Sequence, residues 1–577
     1  MSTHWIVEGR IDPRWPINTR GNIGEVFPEV LTPLTYKLGV IPAEKGWRDA
    51  FRQMGVLAPN DLRREAPTII GLYGGYGYLD LSFLRIAGVR APGSSPDVID
   101  KSLFGEGSPP PYQPQKGDKN LRCSVKMLRT VLKALSIDDL PPQVSDSRRR
   151  ADEWAARRPA LTASNEELLD YLQEYRNVFA PVFTNHMLTT FTASIVGGIL
   201  ADGAVAAGDP ALVTRLMGAF GEVASARYAN GMWSVAQLVR ASPAVSAEFD
   251  RGVSGLMDRL ADVQEADEFR VAFYRFLAEL GHRGPNDWEL SSRTWENTPD
   301  LALHAIDRMR LSDRDLDPAT RLGDVEQLRA DAAAAVLPHL KLLDKVNFKK
   351  ALKVIGFWFR GREGTRDQAI RMHLPTRQVF FELASRCTDG GGWSDPRDVA
   401  LLDPFDELPQ CLTDPAKWTD TILERAALRD RFAAVEPPFF ISSQEEVPGI
   451  EELEAQMRPK PVPAAAGAVL QGAGGCAGVA RGRARIVLDP GDPNDLQPGD
   501  VLVAPLTDPA WTPLFLPAAA VVVNVGALMS HAIIVSRELG IPCAISVTDA
   551  TGRIPDGALV EVDGAAGTVT ILADAAS

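Results

Sequence analysis

The chain has 577 residues, of which 45% are hydrophobic and 24% are charged. This composition excludes a mainly disordered chain, and the length predicts about two to four domains. Acidic residues outnumber basic ones, 75 to 61, and no basic block is present, which argues against a nucleic-acid-binding protein. No apolar run approaches the roughly 20 residues of a membrane span, no secretory signal opens the chain, and the five cysteines form no CxxC pair. We therefore expect a cytoplasmic protein with reduced thiols, no membrane partner and no metal site.

Composition divides the chain into four predicted segments. Residues 1–120, rich in Gly and Pro, are expected to form an N-terminal α/β part of a substrate domain, and residues 121–445 its helical, substrate-binding part. A linker is predicted over 446–466. Residues 467–577 contain no lysine and alternate short apolar runs with Gly, Pro and Asp turns. The predicted fold class is multidomain α+β, with a mainly helical domain followed by a C-terminal β/β/α domain, and the Pro/Ala-rich stretch 458–468 is predicted to be the hinge.

Two stretches give local signals that the structure can test. Gly71–Leu84 alternates apolar residues with glycine, which predicts a strand. Ser164 and Glu167 fit a capping box at the start of a helix. The spacing of the next apolar residues predicts one buried helix face, made of Leu168, Leu172, Tyr175 and Phe179.

The strongest candidate for chemistry is His531. A buried strand, Val521–Val523, runs into a loop containing Gly526, and an amphipathic helix follows from His531. Free N–H groups and the positive end of the helix dipole suit an anion there, and the same field favours a neutral, nucleophilic imidazole. Ser530 is predicted to cap the helix, and Gly526 to leave room for a phosphate. From these residues alone, a histidine that only caps a helix or lies on the surface stays an alternative.

The same stretch resembles the phosphohistidine swivelling domain of phosphoenolpyruvate-utilising enzymes. That family's pattern, approximately GG-x-x-SH-x-AIVARELGIPAV, is matched over 526–542, and LQPGDVLVAPLTDPAWTPLFLPAAAVVVN upstream is similar as well. The sequence departs from the pattern at Ala527, where a second Gly is usual, and at Cys476 and Ala477, where a Ser-Pro pair is usual. The resemblance implies that His531 is the phosphorylated residue. Arg537, on the same predicted helix, either reaches the phosphate or makes a structural ion pair.

Three segments of the helical part resemble the substrate-binding region of rifampin phosphotransferase-like proteins: 18–36, 281–299 and 357–386. In the second segment, His282 and Arg283 lie in a polar loop rich in glycine. His282 is a candidate base for a substrate hydroxyl, and a hydrogen-bonded loop that fixes two helices is the alternative.

In the third segment, Arg362 and Arg366 share a helix face at positions i and i+4. Two convergent guanidinium groups suit a clamp for a transferring phosphoryl group, and a solvated charged face is the alternative.

The sequence contains no Walker A motif and no protein-kinase signature set. We therefore expect ATP and Mg²⁺ to bind a separate ATP-grasp subunit, in an organisation that resembles phenylphosphate synthase. The predicted function is a phosphotransferase subunit that carries a phosphoryl group on His531 to a hydroxyl of a small organic substrate. The alternative is a non-catalytic phosphocarrier or regulatory protein modified at the same histidine.

Overall fold

The structure, a computed structural model, describes residues 11–62, 69–104, 109–209, 212–218, 224–311, 318–443, 447–456, 461–490, 496–507, 511–526 and 530–574. The chain divides into two compact units. Unit 1 consists of residues 1–196, 288–292 and 357–458, and unit 2 of residues 197–287, 293–356 and 459–577. Both units include part of the predicted helical segment 121–445, and the predicted domain boundaries themselves stay predictions.

Unit 1 combines long helices with a small antiparallel sheet. Its helices are α1 (Ile23–Val26), α2 (Pro33–Thr35), α3 (Ile41–Met54), α4 (Leu81–Arg90), α5 (Pro96–Phe104), α6 (Leu121–Ala134), α7 (Gln143–Ala156), most of α8 (Asn165–Ala206), and, beyond the helices of unit 2, most of α16 (Leu342–Gly390), α17 (Leu408–Thr413), α18 (Thr419–Ala433) and α19 (Ile450–Ala455). Its strands are β1 (Asn18–Thr19), β2 (Ile70–Tyr73), β3 (Tyr76–Asp80) and β4 (Phe440–Ile441), in the order β2-β3-β1-β4.

The predicted strand over Gly71–Leu84 is wrong in extent, because a hairpin and a helix start share this stretch. β2 and β3 pair across Gly74 and Gly75, both of which have positive φ (59° and 77°). A two-residue loop of this kind needs left-handed backbone at both positions, which glycine adopts without a steric penalty. Asp80 then ends β3 and caps α4 by accepting a hydrogen bond from the Phe83 N–H at 2.8 Å.

The predicted capping box at the start of α8 is confirmed. The Ser164 hydroxyl accepts from the Glu167 N–H at 3.2 Å, and the Glu167 carboxylate accepts from the Ser164 N–H at 3.1 Å. The predicted apolar face is buried in the unit 1 core, as Leu168, Leu172, Tyr175 and Phe179. By length and composition α8 could cross a membrane, but 44% of its most apolar window is buried inside the protein. We interpret it as a core helix; the cytoplasmic location stays a prediction.

Unit 2 contains the end of α8 and the start of α16, a group of helices, and an eight-stranded sheet. Its remaining helices are α9 (Leu212–Leu216), α10 (Ala224–Ala241), α11 (Pro243–Asp250), α12 (Leu256–Leu260), α13 (Asp267–Leu280), α14 (Asp300–Leu311), α15 (Pro318–Val336), α20 (Thr512–Phe515), α21 (His531–Leu539) and α22 (Ala550–Arg553). Its strands are β5 (Val469–Gln471), β6 (Ala473–Cys476), β7 (Val479–Ile486), β8 (Val501–Ala504), β9 (Ala520–Val523), β10 (Cys543–Ile545), β11 (Leu559–Asp563) and β12 (Thr568–Ala573), in the order β5-β12-β11-β7-β8-β9-β10-β6. The helical and β-rich parts confirm the predicted α+β class.

The parallel part of this sheet places the loop that precedes His531. Strands β7, β8, β9 and β10 run parallel, and α21 is the crossover between β9 and β10. Such a helix begins beyond the carboxyl end of the strand it follows, and ligand sites of open parallel sheets lie at that edge. Thr507 follows β8 and His531 follows β9, so two adjacent strands deliver both residues to one edge of the sheet.

Helices α20 and α21 pack within unit 2 against α10, which in turn packs against α13 and α14. One apolar cluster contains buried side chains from both sides of this contact, among them Tyr228, Met232, Phe276, Leu514, Phe515 and Val535. In this structure the domain is therefore docked on helices of its own unit. The predicted hinge at 458–468 includes residues outside the described part of the chain and stays a prediction.

Candidate functional site

His531 is the first residue of α21, and its ring is held on both sides. The Nδ1 atom lies 3.1 Å from the hydroxyl oxygen of Thr507, and the Nε2 atom lies 3.2 Å from that of Thr512. Both threonines are buried, whereas His531 is half-buried. The ring also meets Phe515 edge to face, with centroids 5.7 Å apart. The imidazole is thus fixed in one orientation and still open on one side.

The two threonines suit a neutral imidazole. A neutral ring has one N–H donor and one acceptor nitrogen, and a hydroxyl can serve either. One threonine therefore accepts from the ring and fixes its tautomer, while the other donates to the second ring nitrogen. The N–H groups at the start of α21 have no partner within the helix and suit the oxygens of a phosphoryl group.

Ser530 lies at the N-cap position of α21, as predicted, but the predicted cap hydrogen bond is absent. The hydroxyl of Ser530 makes no capping bond to the first turn, and it is buried without a hydrogen-bond partner. Gly526 lies close by: a Cβ at this position would lie 3.0 Å from Ile545 and 3.3 Å from the Ser530 hydroxyl. The small residue at 526 therefore permits the loop to pack closely. Ala527, the departure from the family pattern, lies outside the described residues.

Arg537 lies on the second turn of α21, and its described contact is to the sheet. Its Nε donates to the carbonyl of Gly475 on β6 at 3.2 Å. Burial lowers the pKa of this guanidinium to about 10. This contact joins α21 to the edge strand β6 through a backbone carbonyl; the predicted ion pair and the predicted role toward phosphate both stay predictions.

His282 and Arg283 are buried in unit 2, in a tightly folded loop. Arg283 pairs with Asp287 at 2.8 Å and lies 4.5 Å above the ring of Tyr228. The loop closes through the Trp295 N–H, which donates to the Arg283 carbonyl at 2.7 Å. His282 and Arg283 are each about 2% exposed. These contacts are typical of a loop that joins helices, and a substrate role for either residue stays a prediction.

Arg362 and Arg366 lie in unit 1 on α16, in partly buried positions. Two nitrogens of Arg362, Nε and Nη1, are buried without a hydrogen-bond partner, and the carboxylate of Glu363 lies 3.8 Å from Nε. The guanidinium of Arg366 lies 6.0 Å from the ring centre of Trp288, whose buried Nε1 also has no partner. Buried donors without acceptors are uncommon in folded proteins. This set, which we call the arginine site, is suited to an anion.

Two further titratable groups face the arginine site. Burial raises the pKa of Glu25, on α1, to about 7, and the nearby charges of Arg362 and Arg366 oppose that rise. Burial and the same two arginines hold the pKa of His186, on α8, well below its usual value. The ring of His186 lies 3.4 Å from the hydroxyl of Thr365 and stacks on Trp288. Near neutral pH the site therefore combines two cations, a neutral imidazole and a carboxyl group that is half ionised.

Several of these residues escaped prediction from the sequence. Thr507 and Thr512 lay in stretches quoted only for their family resemblance. Glu25 and Trp288 belong to the first and second of the segments that resemble rifampin phosphotransferase-like proteins, and Arg362 belongs to the third. Unit 1 therefore brings together parts of all three segments, which is the signal that could have identified the site. No group of three His, Cys, Asp or Glu side chains in the described part of the chain is placed to hold a metal ion.

Comparison with known proteins agrees with this arrangement. Residues 182–363 match the model of the rifampicin phosphotransferase fourth domain, and residues 496–567 match the mobile domain of PEP-utilising enzymes. The chain is 29% identical over 451 residues to a rifampicin phosphotransferase of Streptomyces sviceus, a match that covers 74% of this chain and 49% of the relative.

Two further relatives show the same pattern. The prodigiosin synthesizing transferase PigC of Serratia marcescens is 28% identical over 372 residues, 62% of this chain and 40% of that protein. An uncharacterised protein of Mycobacterium tuberculosis is 35% identical over 321 residues, 55% of this chain and 33% of that protein. The matched region thus spans between a third and a half of the length of these relatives. The mobile-domain match covers His531, so residues 496–567 are similar to the mobile domain of PEP-utilising enzymes.

Proposed function

We propose that this chain is a phosphotransferase component in which His531 takes up a phosphoryl group and passes it to a hydroxyl of a small organic substrate. The observation that carries the proposal is the His531 ring at the first turn of α21, held between the hydroxyls of Thr507 and Thr512. In this proposal ATP and Mg²⁺ bind a separate ATP-grasp subunit. Two relatives, a rifampicin phosphotransferase and a prodigiosin synthesizing transferase, support transfer involving a small organic molecule.

The first step forms a bond between nitrogen and phosphorus. The lone pair of the neutral imidazole attacks phosphorus, and the bond from phosphorus to the donor oxygen breaks, with its electrons going to that oxygen. The threonine on the other ring nitrogen accepts the N–H and keeps the ring oriented. The phosphoryl oxygens are stabilised by N–H groups at the start of α21.

The second step moves the phosphoryl group to the acceptor. The substrate hydroxyl attacks phosphorus, and the bond from phosphorus to the His531 nitrogen breaks, with its electron pair returning to the ring. Because the other ring nitrogen has kept its proton, the ring leaves as a neutral imidazole. We assign the clamp on the transferring group to Arg362 and Arg366, because donors of Arg362 lack acceptors and two guanidinium groups neutralise the charge of the phosphoryl oxygens. In this step the Glu25 carboxylate removes the proton of the substrate hydroxyl, because its pKa of about 7 suits a base at neutral pH.

The arginine site also bears on the alternative function. A phosphocarrier that only signals to another protein needs an accessible histidine and has no use for buried cations beside a base. The buried N–H donors of Arg362 and Trp288 that lack acceptors therefore favour a transferase over a carrier. Domain movement between loading and transfer follows from the proposal, and the stretch 458–468 is its expected hinge.

The test loads the full chain with phosphoramidate, a small donor that phosphorylates histidine, and removes the reagent by gel filtration. The loaded protein is then mixed with a panel of phenols and aliphatic alcohols, and phosphorus NMR reports the products. The proposal predicts a phosphate ester whose formation requires both His531 and Arg362. Release of inorganic phosphate alone with every compound would favour the carrier.

A further inference from the structure

Helix α6 of unit 1 exposes an apolar stripe to solvent. Four aliphatic side chains are exposed: Leu121 (80%), Val125 (45%), Leu128 (45%) and Leu132 (54%). Their spacing of four, three and four residues aligns them along one side of the helix, as in the seam by which two helices pack together. The opposite side of α6 is already used, because Cys123, Met127 and Ala134 are buried. We call the four exposed residues the α6 stripe.

A line of basic residues runs beside the α6 stripe. Each stripe residue is followed by a basic one, and all four are exposed: Arg122, Lys126, Arg129 and Lys133. Lys126 donates to the carbonyl of Arg52 at 2.6 Å. The other three have no ion pair among the described residues, and α6 itself contains no acidic residue. The helix therefore presents one apolar line and one uncompensated positive line, side by side.

The neighbouring helix α7 shows that this arrangement is not general on the surface of unit 1. There Arg149 pairs with Asp146 at 2.6 Å and with Glu153 at 2.7 Å, and Arg150 also pairs with Asp146 at 2.8 Å. Two of the three arginines of α7 thus pair with acids on their own helix. Those of α6 lack them, so a partner that covers the stripe has to supply the negative charge.

Charge complementarity selects among the possible occupants of the stripe. If two copies of α6 paired along their stripes, each basic line would face either the other basic line or the opposite flank, where Ser124 and Val131 offer no charge. A bilayer surface fits less well, because a flat anionic surface meets both flanks of an interfacial helix, whereas the basic residues of α6 lie on one flank and Ser124 and Val131 on the other carry no charge. An amphipathic helix with carboxylates along one flank satisfies both lines at once.

We propose that α6 is a docking site for an acidic amphipathic helix of a partner protein. The apolar residues of that helix cover the α6 stripe, and its carboxylates pair with Arg122, Arg129 and Lys133. Burial of the aliphatic side chains supplies the affinity, while the charges set orientation and discriminate against basic helices. This inference concerns a different surface from the arginine site and does not depend on the proposed function.

The test measures binding of designed peptides to the full chain by fluorescence anisotropy at low salt. The first peptide is a three-heptad helix with leucine along one face and glutamate on the flanks, and the second is the same peptide with lysine for glutamate. Vesicles of phosphatidylcholine and phosphatidylglycerol are the third probe. The proposal predicts binding of the glutamate peptide only, weakened about tenfold or more by Arg122→Glu with Arg129→Glu. The same double variant should gain binding of the lysine peptide.

Leu128→Ser tests the apolar part, and Leu423→Ser, at an exposed leucine of α18, is the matched control that should leave binding unchanged. Because the substituted residues are exposed, circular dichroism should show an unchanged fold. Equal affinity for both peptides, binding that ignores the charge reversal, vesicle binding without peptide binding, or self-association abolished by Leu128→Ser would each overturn the proposal.

Discussion

The His531 site and the arginine site are built in opposite ways. His531 and its two threonines come from one stretch of 25 residues, Thr507–His531, and the ring has neutral partners and an open side. The arginine site and the two groups that face it, Glu25 and His186, come from four distant parts of the chain and are mostly charged and buried. A group carrier has to meet donor and acceptor, so it must be exposed. A transfer site gains from excluding water, which strengthens its electrostatic interactions.

Inactivating the two sites separately tests most directly whether uptake and transfer of the phosphoryl group depend on different residues. Arg362→Gln with Arg366→Gln should reduce phosphate-ester formation about 1000-fold or more, because the charge of the transferring group loses its clamp. Uptake of phosphate on His531 should not change. The measurement is the phosphoramidate chase followed by phosphorus NMR, with Arg371→Gln as the control at an arginine of α16 that pairs with Asp152. Equal loss of uptake and transfer would contradict a division of labour.

Glu25→Gln tests whether the Glu25 carboxylate takes the proton of the acceptor hydroxyl. Without the carboxylate that takes the hydroxyl proton, ester formation should fall about 100-fold, and uptake on His531 should stay normal. In the unmodified protein, transfer should rise with pH through about 7 as Glu25 ionises. A pH–rate profile unchanged by the substitution would show that another group takes the proton.

The same substitution should change how stability depends on pH. The pKa of Glu25 lies above its value of 4.5 in an unfolded chain, so the folded state binds this proton more tightly. Stability from this group is fully present below about pH 4.5 and is lost as the pH rises through about 7, by up to about 3 kcal/mol. Melting temperatures at pH 5 and pH 8 should therefore shift in favour of Glu25→Gln at the higher pH. The exposed Glu166→Gln should show no such shift.

Substitution of the two threonines tests how much each hydroxyl contributes to phosphate uptake on His531. Thr507→Val and Thr512→Val each remove one hydroxyl from a ring nitrogen of His531 while keeping the shape of the side chain. Removal of the hydroxyl that fixes the ring should slow phosphate uptake about three- to tenfold, the net worth of one hydrogen bond. Removal of the one on the attacking nitrogen should have less effect, because that hydroxyl leaves before attack. Equal uptake rates for both variants and the unmodified chain would show that neither threonine contributes to phosphate uptake.

Ser530→Ala has the smallest expected effect. A serine that caps a helix is worth about 0.5–2 kcal/mol, but the hydroxyl of Ser530 makes no cap bond and is buried without a partner. Its loss should change the free energy of unfolding by about 0.5 kcal/mol or less in either direction. Chemical denaturation of the two proteins measures this difference. A loss near 2 kcal/mol would show that the cap forms in solution.

The features that the sequence predicts well are local. The capping box at Ser164, the buried face that follows it, and the start of a helix at His531 depend on residues within a few positions of each other. The hairpin at Gly74 was missed although its two-glycine loop is a local signal, because alternation alone does not separate one strand from two.

The arginine site could be predicted only in part, because it depends on tertiary contacts. Arg362 and Arg366 follow from helical spacing and the family resemblance, but nothing near them in the chain indicates that Glu25 and Trp288 face them. In the same way, the polar, glycine-rich loop of His282 and Arg283 suggests a base for a substrate hydroxyl, whereas the ion pair of Arg283 with Asp287 and the close backbone contacts of the loop emerge only from the fold.

The most direct test of the central claim is to locate the phosphoryl group. The full chain is treated with phosphoramidate, quenched in base to preserve phosphohistidine, digested, and mapped by mass spectrometry at alkaline pH. We expect phosphate on His531, loss of that signal in His531→Asn, and normal labelling in His339→Asn, a variant at an exposed histidine. Equal labelling of His531→Asn and the unmodified chain, with phosphate on another histidine, would contradict it.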